Sequence, residues 1–428
     1  MRRALSSAAI AVACLSTACA SAPPPPAAEP HTSGPTPPGP DDDARFQEAL
    51  ALFTRHDRAG DWSPPVCAAT VGALLGSGVR GSPVPTYDAA LVEQRCGRHD
   101  EARRLLSSAL ETSPTFYPAR AALALYTAAT PGGLDAAIRD LDRAVRDSRY
   151  GSVEALVALA TLQMRRGSAT ADDEGASDAD RALRNLGRAL AINDRYMPAL
   201  DQLALLHLAQ ARRAAAGPSG KKGASQALEL AALVCSQGIA KDPRHAPLHN
   251  TAGLVEVELG NFSRAAAEFG EARRLDPRFV EAHMNFAAVN LQFRGFALAE
   301  EAYRAVLALR PDDYDAQIGL ALALRGQLGV AADPAQLEAA DKLLAAAEKV
   351  APDRPEAYYN QAILVQEYLS RSDDKKKTLA ELSRAKGLYG QFLEKSDKSP
   401  AFGEARKRAK ERMAEIDDMV RFLASAGP

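Results

Sequence analysis

Outside the first twenty residues, the side chains best suited to redox or metal chemistry are Cys67, Cys96 and Cys235 and the histidines at 245, 249 and 283. His245 and His249 are spaced i,i+4, which puts both rings on one face of a helix as many zinc sites require. His249 and His283, however, lie 34 residues apart at equivalent places in a repeated pattern, so packing accounts for both, and no metal site is expected. Catalytic signatures are missing: the chain has no HExxH, no phosphate-cradling GxxxxGK[ST], no Gly-x-Ser-x-Gly elbow and no paired CxxC. Gly217 to Gly223 is rich in glycine and lysine but lacks the first glycine and the hydroxyl of a phosphate loop, so it reads as a plain loop. The expectation is a non-enzyme with no catalytic residues, no cofactor and no small-molecule substrate. In an oxidising compartment Cys67 and Cys96 are expected to form a disulfide, two buried thiols being the alternative, while Cys235 occupies an apolar site and reads as a buried thiol.

The compartment follows from the first residues. Arg2 and Arg3 precede an apolar run from Ala4 to Leu15, then Ser16, Thr17, Ala18 and Cys19, the charged, apolar and small-residue layout of a secretory signal that is too short to span a bilayer. The segment Leu15 to Cys19 resembles a bacterial lipobox, which implies a signal peptide over 1–18 and a lipid on Cys19. Ser16 stands where a large aliphatic residue is usual, Cys14 behind Ala11 to Ala13 is a competing site, and a plain signal cleaved by an ordinary peptidase is the alternative. Nine prolines between residues 22 and 40 make 19–41 an extended tether. Ala20 after Cys19 implies, by resemblance to known sorting rules, the outer membrane. The chain is therefore expected to be an outer-membrane lipoprotein facing the periplasm.

The elements that position these residues are helical. The 428 residues are 46% hydrophobic and only 6% aromatic, a composition suited to closely packed helices. Lys plus Arg number 52 against 54 Asp plus Glu, which gives no charge excess for nucleic acid or a membrane surface, so neither is an expected electrostatic partner. The strongest pattern is self-similarity at 34 residues: His249 and His283, Ala265 and Ala299, Phe269 and Tyr303, and Pro277 and Pro311. From Ala246 to Phe279, Gly253, Ala265, Phe269, Ala272 and Pro277 give the order small, small, large apolar, small and proline, which resembles the tetratricopeptide consensus. Small residues let helices approach, the large one fills the gap, and proline stops the second helix.

In the same register, second helices recur at Ala102, Leu106 and Ala109; Ala137, Leu141 and Ala144; Ala182, Leu186 and Ala189; Ala231, Cys235 and Gly238; Ala340, Leu344 and Ala347; and Ala385, Tyr389 and Phe392. The predicted fold is all-α, a right-handed superhelical solenoid of about eight helical hairpins over 83–399. An N-terminal helical cap is expected over 42–82 and a C-terminal capping helix over 400–424. Polar insertions at Ser168 to Asp180, Arg212 to Ser225, Gly326 to Asp333 and Ser370 to Lys377 read as surface loops, and the charged run Glu404 to Arg412 as a solvated helix face.

Tetratricopeptide arrays present their first helices to partner segments. By that resemblance the partner-binding groove would include Asn250, Leu254, Val257 and Glu258; Met284, Ala288, Leu291 and Gln292; and Tyr359, Ile363, Gln366 and Glu367. Asn250, Met284 and Tyr359 do not supply the base of a terminal-carboxylate clamp. The arrangement as a whole, with the Tyr358 to Tyr368 run and the Ala405 to Leu423 ending, resembles the tetratricopeptide lipoproteins of the myxobacterial adventurous gliding machinery. The resemblance implies a scaffold joining proteins of an envelope complex, held at the membrane by its lipid anchor. A pilotin-like assembly lipoprotein for a secretin, pilus or outer-membrane barrel, and an adaptor recruiting cell-wall hydrolases, are the alternatives.

Overall fold

In a computed structural model of the chain, the described residues are 40–77, 81–168, 176–217, 220–328 and 333–425, and the expected signal, the expected lipidation site Cys19 and nearly all of the expected tether lie outside them. The described residues form helices joined by short turns. Two lead the array, α1 (Pro40–Ala59) and α2 (Pro64–Leu75). Eight hairpins follow: α3 (Val84–Arg95) with α4 (His99–Thr112), α5 (Tyr117–Ala129) with α6 (Gly133–Asp147), α7 (Val153–Arg166) with α8 (Asp178–Ile192), and α9 (Met197–Ala216) with α10 (Gly220–Lys241). Then come α11 (Ala246–Glu258) with α12 (Phe262–Leu275), α13 (Val280–Gln292) with α14 (Phe296–Leu309), α15 (Tyr314–Gln327) with α16 (Pro334–Val350), and α17 (Glu356–Leu364) with α18 (Lys375–Ser396). A π-helical turn, Val365–Leu369, extends α17, and a 3-10 turn at Pro400–Phe402 leads into the last helix, α19 (Gly403–Ser425).

Local chemistry sets the helix starts. Proline occupies the first turn of α5, α9 and α11, where a missing N–H costs nothing. Asp313, Asp333 and Asp374 accept backbone N–H groups at the starts of α15, α16 and α18, and Ser177 and Asp180 form a reciprocal capping box on α8. One expected loop is shorter than the sequence suggests among the described residues. Much of Arg212 to Ser225 is helical, lengthening α9 and α10 to 20 and 22 residues, because Ala214, Ala215 and Ala216 favour helix and Arg212 is held by Glu258 at 2.6 Å.

The chain divides into two compact units, one of residues 22–264 with 271–277 and one of 278–428 with 265–270, apart from the leader. In the first unit, Phe46, Leu50, Phe53, Trp62 and Leu74 form the core of the leading pair together with Val84 and Val92 of α3. Cys67 and Cys96 are disulfide-bonded, with Cα atoms 6.2 Å apart, which ties α2 to the end of α3. Arg95 also pairs with Asp57 at 3.1 Å. Gly60, between α1 and α2, abuts the ring of Pro277, since a Cβ there would stand 3.2 Å from Pro277 Cδ. The first turn and the last residues of this unit therefore touch.

The repeated second-helix sites are core. Ala102, Leu106, Ala109, Leu141, Ala144, Ala182, Leu186, Ala189, Ala231 and Cys235 are buried in the first unit. Ala299, Tyr303, Ala340, Leu344, Ala347, Ala385, Tyr389 and Phe392 are buried in the second. In that unit Gly319 of α15 lies flat against Tyr303, and a Cβ there would penetrate the ring. Arg354 joins successive hairpins: it pairs with Asp315 at 2.8 Å and Glu356 at 3.1 Å and stacks over Tyr314 at 3.9 Å. Helix α19 covers the end of the unit with Ala405, Ala409 and Ile416, while Met419, three residues beyond Ile416, is exposed. Among the described residues no helix is long and apolar enough to cross a membrane.

Candidate partner-binding surfaces

The first helices of the hairpins do not present one uniform surface. In the first unit they are largely enclosed: every residue of α7 from Ala155 to Gln163 is buried, as is every residue of α9 from Met197 to Gln202. Their polar side chains are spent on one another. Thr161 donates to Gln202 Oε1 at 3.1 Å, Gln202 donates to Asp201 Oδ2 at 3.4 Å, and Thr251 donates to Asp201 Oδ1 at 2.6 Å. This chain links α7, α9 and α11 across successive hairpins. Burial raises the Asp201 carboxyl to about 6, although its Thr251 and Gln202 hydrogen bonds pull the other way.

The candidate groove residues divide by position. Asn250 is buried, Leu254 and Val257 are half-buried, and Glu258 is occupied by its bond to Arg212. In the second unit Met284, Ala288, Leu291 and Gln292 form a half-buried row on α13, with Met284 and Leu291 packed against the core and the Gln292 side-chain oxygen shut from solvent. Tyr359, Ile363 and Gln366 require correction: they are buried beneath α18 and α19 and line no open groove. Tyr359 packs on Phe392 and Tyr389 with ring centroids 4.7 and 6.0 Å away. The cause is the cap, which lays its apolar stripe over the inner helix of the final hairpin.

The histidines have a structural task. His249 Nε2 lies 3.0 Å from the carbonyl of Pro243, six residues earlier, and because that oxygen only accepts, the ring nitrogen carries the proton. Gln317 donates to Pro311 O and Tyr358 to Pro352 O over the same six-residue step, each at 3.0 Å. The position thus takes any side chain long enough to satisfy the carbonyl of the proline that closes the preceding hairpin. His283 is likewise buried, and among the described residues no group of three or more His, Cys, Asp or Glu side chains is placed to hold a metal ion.

One charged cluster escaped the sequence reading. The π-helical turn, closed by Ser370 N–H donating to Val365 O at 2.9 Å, presents Gln366 and Glu367 to the cap helix. Arg412 of α19 donates to Gln366 Oε1 at 3.2 Å and to Glu367 Oε1 at 2.8 Å, and Tyr389 donates to the same Gln366 oxygen at 2.9 Å. Arg325, near the end of α15, lies within electrostatic reach of Glu367, Tyr368, Tyr389 and Arg412. Burial raises the Tyr359 pKa against the opposing field of Arg412, Arg408 and Arg325. The run Glu404 to Arg412 is therefore not simply a solvated face: Arg406, Arg408 and Arg412 are half-buried, while Lys407 and Lys410 face water. A sequence signal existed, since Arg412 lies three residues beyond Ala409 and four before Ile416, on the apolar stripe itself.

No protein-family profile matches the chain, and no curated protein matches it. Solved structures do resemble it. Human IFIT1, determined as a dimer with PPP-AAAA, aligns over 82% of this chain and 72% of its own at 13% identity, with a TM-score of 0.51. TTC0263, a thermophilic TPR protein of Thermus thermophilus, is 27% identical over 49% of this chain and 99% of its own, with a TM-score of 0.41. PilF of Pseudomonas aeruginosa is 18% identical over 56% of this chain and 95% of its own, with a TM-score of 0.40. The repeated helical hairpins, with their buried small and large sites in register, make the chain an all-α tetratricopeptide-like solenoid.

Proposed function

We propose that this protein is a non-enzymatic scaffold that binds other proteins of an envelope complex. The observation that carries this reading is the array of helical hairpins itself, on one first helix of which Met284, Ala288 and Leu291 form a half-buried apolar row backed by buried second-helix residues. Such a row suits a partner segment laid along it, because the part-exposed apolar side chains supply burial. We further propose a lipid on Cys19 and an outer-membrane location facing the periplasm, supported by the leader pattern and the proline-rich tether. A gliding motility complex is the proposed setting, by resemblance of the repeat array and its ending.

In-cell photocrosslinking from Met284 and Leu291, followed by identification of the captured proteins, tests this reading. Motility proteins are expected. A secretin or pilus subunit would move the protein to assembly, cell-wall hydrolases would make it an adaptor, and recovery of no protein partner would refute the scaffold reading.

A further inference from the structure

The outer face of α19 carries charges in an order that is answered, sign by opposite sign, by the same helix turned end for end. Ala405, Ala409 and Ile416 hold the inner face of this helix against the end of the unit, and the opposite stripe is exposed: Glu404, Lys407, Glu411, Ala414, Asp418 and Arg421. These residues recur at alternating steps of three and four, the spacing of the seam along which two helices pack side by side. Phe422, beside that seam, is 71% exposed, the most open of the large apolar side chains among the described residues, and Met419 one turn before it is exposed as well.

We propose that α19 is a self-association surface, on which a second copy of this chain lays its own α19 antiparallel about a two-fold axis. The charge order selects that occupant. With the axis between Arg412 and Met413, Glu404 faces Arg421 of the second copy, Lys407 faces Asp418, and Glu411 faces the small Ala414, each contact occurring twice. On the flanks Arg408 meets Glu415 and Lys410 meets Asp417, again with opposite signs. Within one chain Asp418 already holds Arg421 and Asp417 holds Lys386, each through Oδ1, and a carboxylate can accept a second donor. Phe422 falls over Ala401 and Gly403 of the second copy; both are exposed, and a Cβ on Gly403 would have nothing within 4 Å, so the ring has space. Other arrangements are opposed by like charges. A parallel pair in register sets every charge on its own kind. Sliding the antiparallel pair by one heptad sets Glu415 on Glu415 and Asp417 on Asp417 in one direction, and Arg408 on Arg408 and Lys410 on Lys410 in the other. The dimer is weak and sensitive to salt, because exposed ion pairs contribute little singly and are screened.

Sedimentation velocity of the purified full chain over a concentration series tests this, and it needs no protein but this one. A reversible equilibrium of monomer and dimer is expected, with a dissociation constant that rises at least tenfold between about 50 mM and about 500 mM sodium chloride. Lys407→Glu and Asp418→Lys should each weaken the dimer at least tenfold, and the chain carrying both changes should return to within about threefold of wild type. The two positions lie about 16 Å apart along their own helix, too far to pair within one chain, so the rescue can arise only across the axis. Mixing the two single variants should likewise restore association, since every reversed charge then meets its opposite. Phe422→Ser should also weaken the dimer. All three positions are exposed, so each variant should melt close to wild type, which separates lost association from lost folding. A chain that stays monomeric to about 100 μM in low salt, a dimer indifferent to these reversals, or a double variant as weak as the single ones would overturn the surface. Capture of other proteins from Met284 and Leu291 depends on none of these results, so the scaffold reading and this one fail separately.

Discussion

Replacing Asp201 by Asn should make stability respond to pH in a way that isolates one carboxyl group. Asp201 is fully enclosed, and burial raises it from 3.8 to about 6 while Thr251 and Gln202 hold its two oxygens. In the unfolded chain the group loses its proton near 3.8; in the folded chain it keeps it to about 6. Folding therefore takes up a proton between these values, and this group's contribution falls as pH rises through that window. A displacement of about two pH units corresponds to about 3 kcal/mol. Asn cannot ionise and still accepts from Thr251. Apart from a pH-independent offset of about 1 kcal/mol from its altered meeting with Gln202, the variant should match wild type below pH 4. It should then gain about 3 kcal/mol relative to wild type by pH 6.5. Urea unfolding followed by Trp62, the lone tryptophan and a buried residue of the same unit, measures the difference at each pH. A difference that stays constant from pH 4 to 8 would refute the reasoning, because it would mean that Asp201 titrates alike in both states.

Gly319→Ala should destabilise the second unit by about 2 kcal/mol or more, since the added carbon meets the rigid Tyr303 ring and overpacking is costly; adding Tyr303→Leu should recover part of the loss in thermal melts. His249→Gln should leave stability near wild type because Gln317 performs the same bond elsewhere, whereas His249→Leu should cost about 1–3 kcal/mol by stranding the Pro243 carbonyl, as read from unfolding curves. Non-reducing peptide mapping should recover Cys67 joined to Cys96 and Cys235 in its reduced form outside any disulfide. Replacing both joined cysteines by serine should lower stability by about 3 kcal/mol, because the bond closes a loop spanning 29 residues of sequence separation.

The helical hairpins were legible because they follow from local rules. Ala265, Phe269 and Ala272, and the same pattern at other second helices, state which residues must be small and which must fill space, and all three are buried. Capping and helix-stopping residues then mark the ends. The candidate groove side chains were less legible, because exposure on a first helix depends on what is laid over it. Tyr359 and Ile363 share their repeat position with half-buried residues such as Met284 and Ala288, yet the cap helix buries them.

By itself, then, the sequence determined the repeat length and the second-helix core, and it offered the pair of cysteines that the fold joins. Tertiary structure decided which repeats stay accessible and which charges meet. Periodicity is a property of neighbours along the chain, whereas the enclosure of Asp201 by α7, α9 and α11, and the bond of Arg412 to Glu367, depend on side chains brought together from 40 or more residues apart.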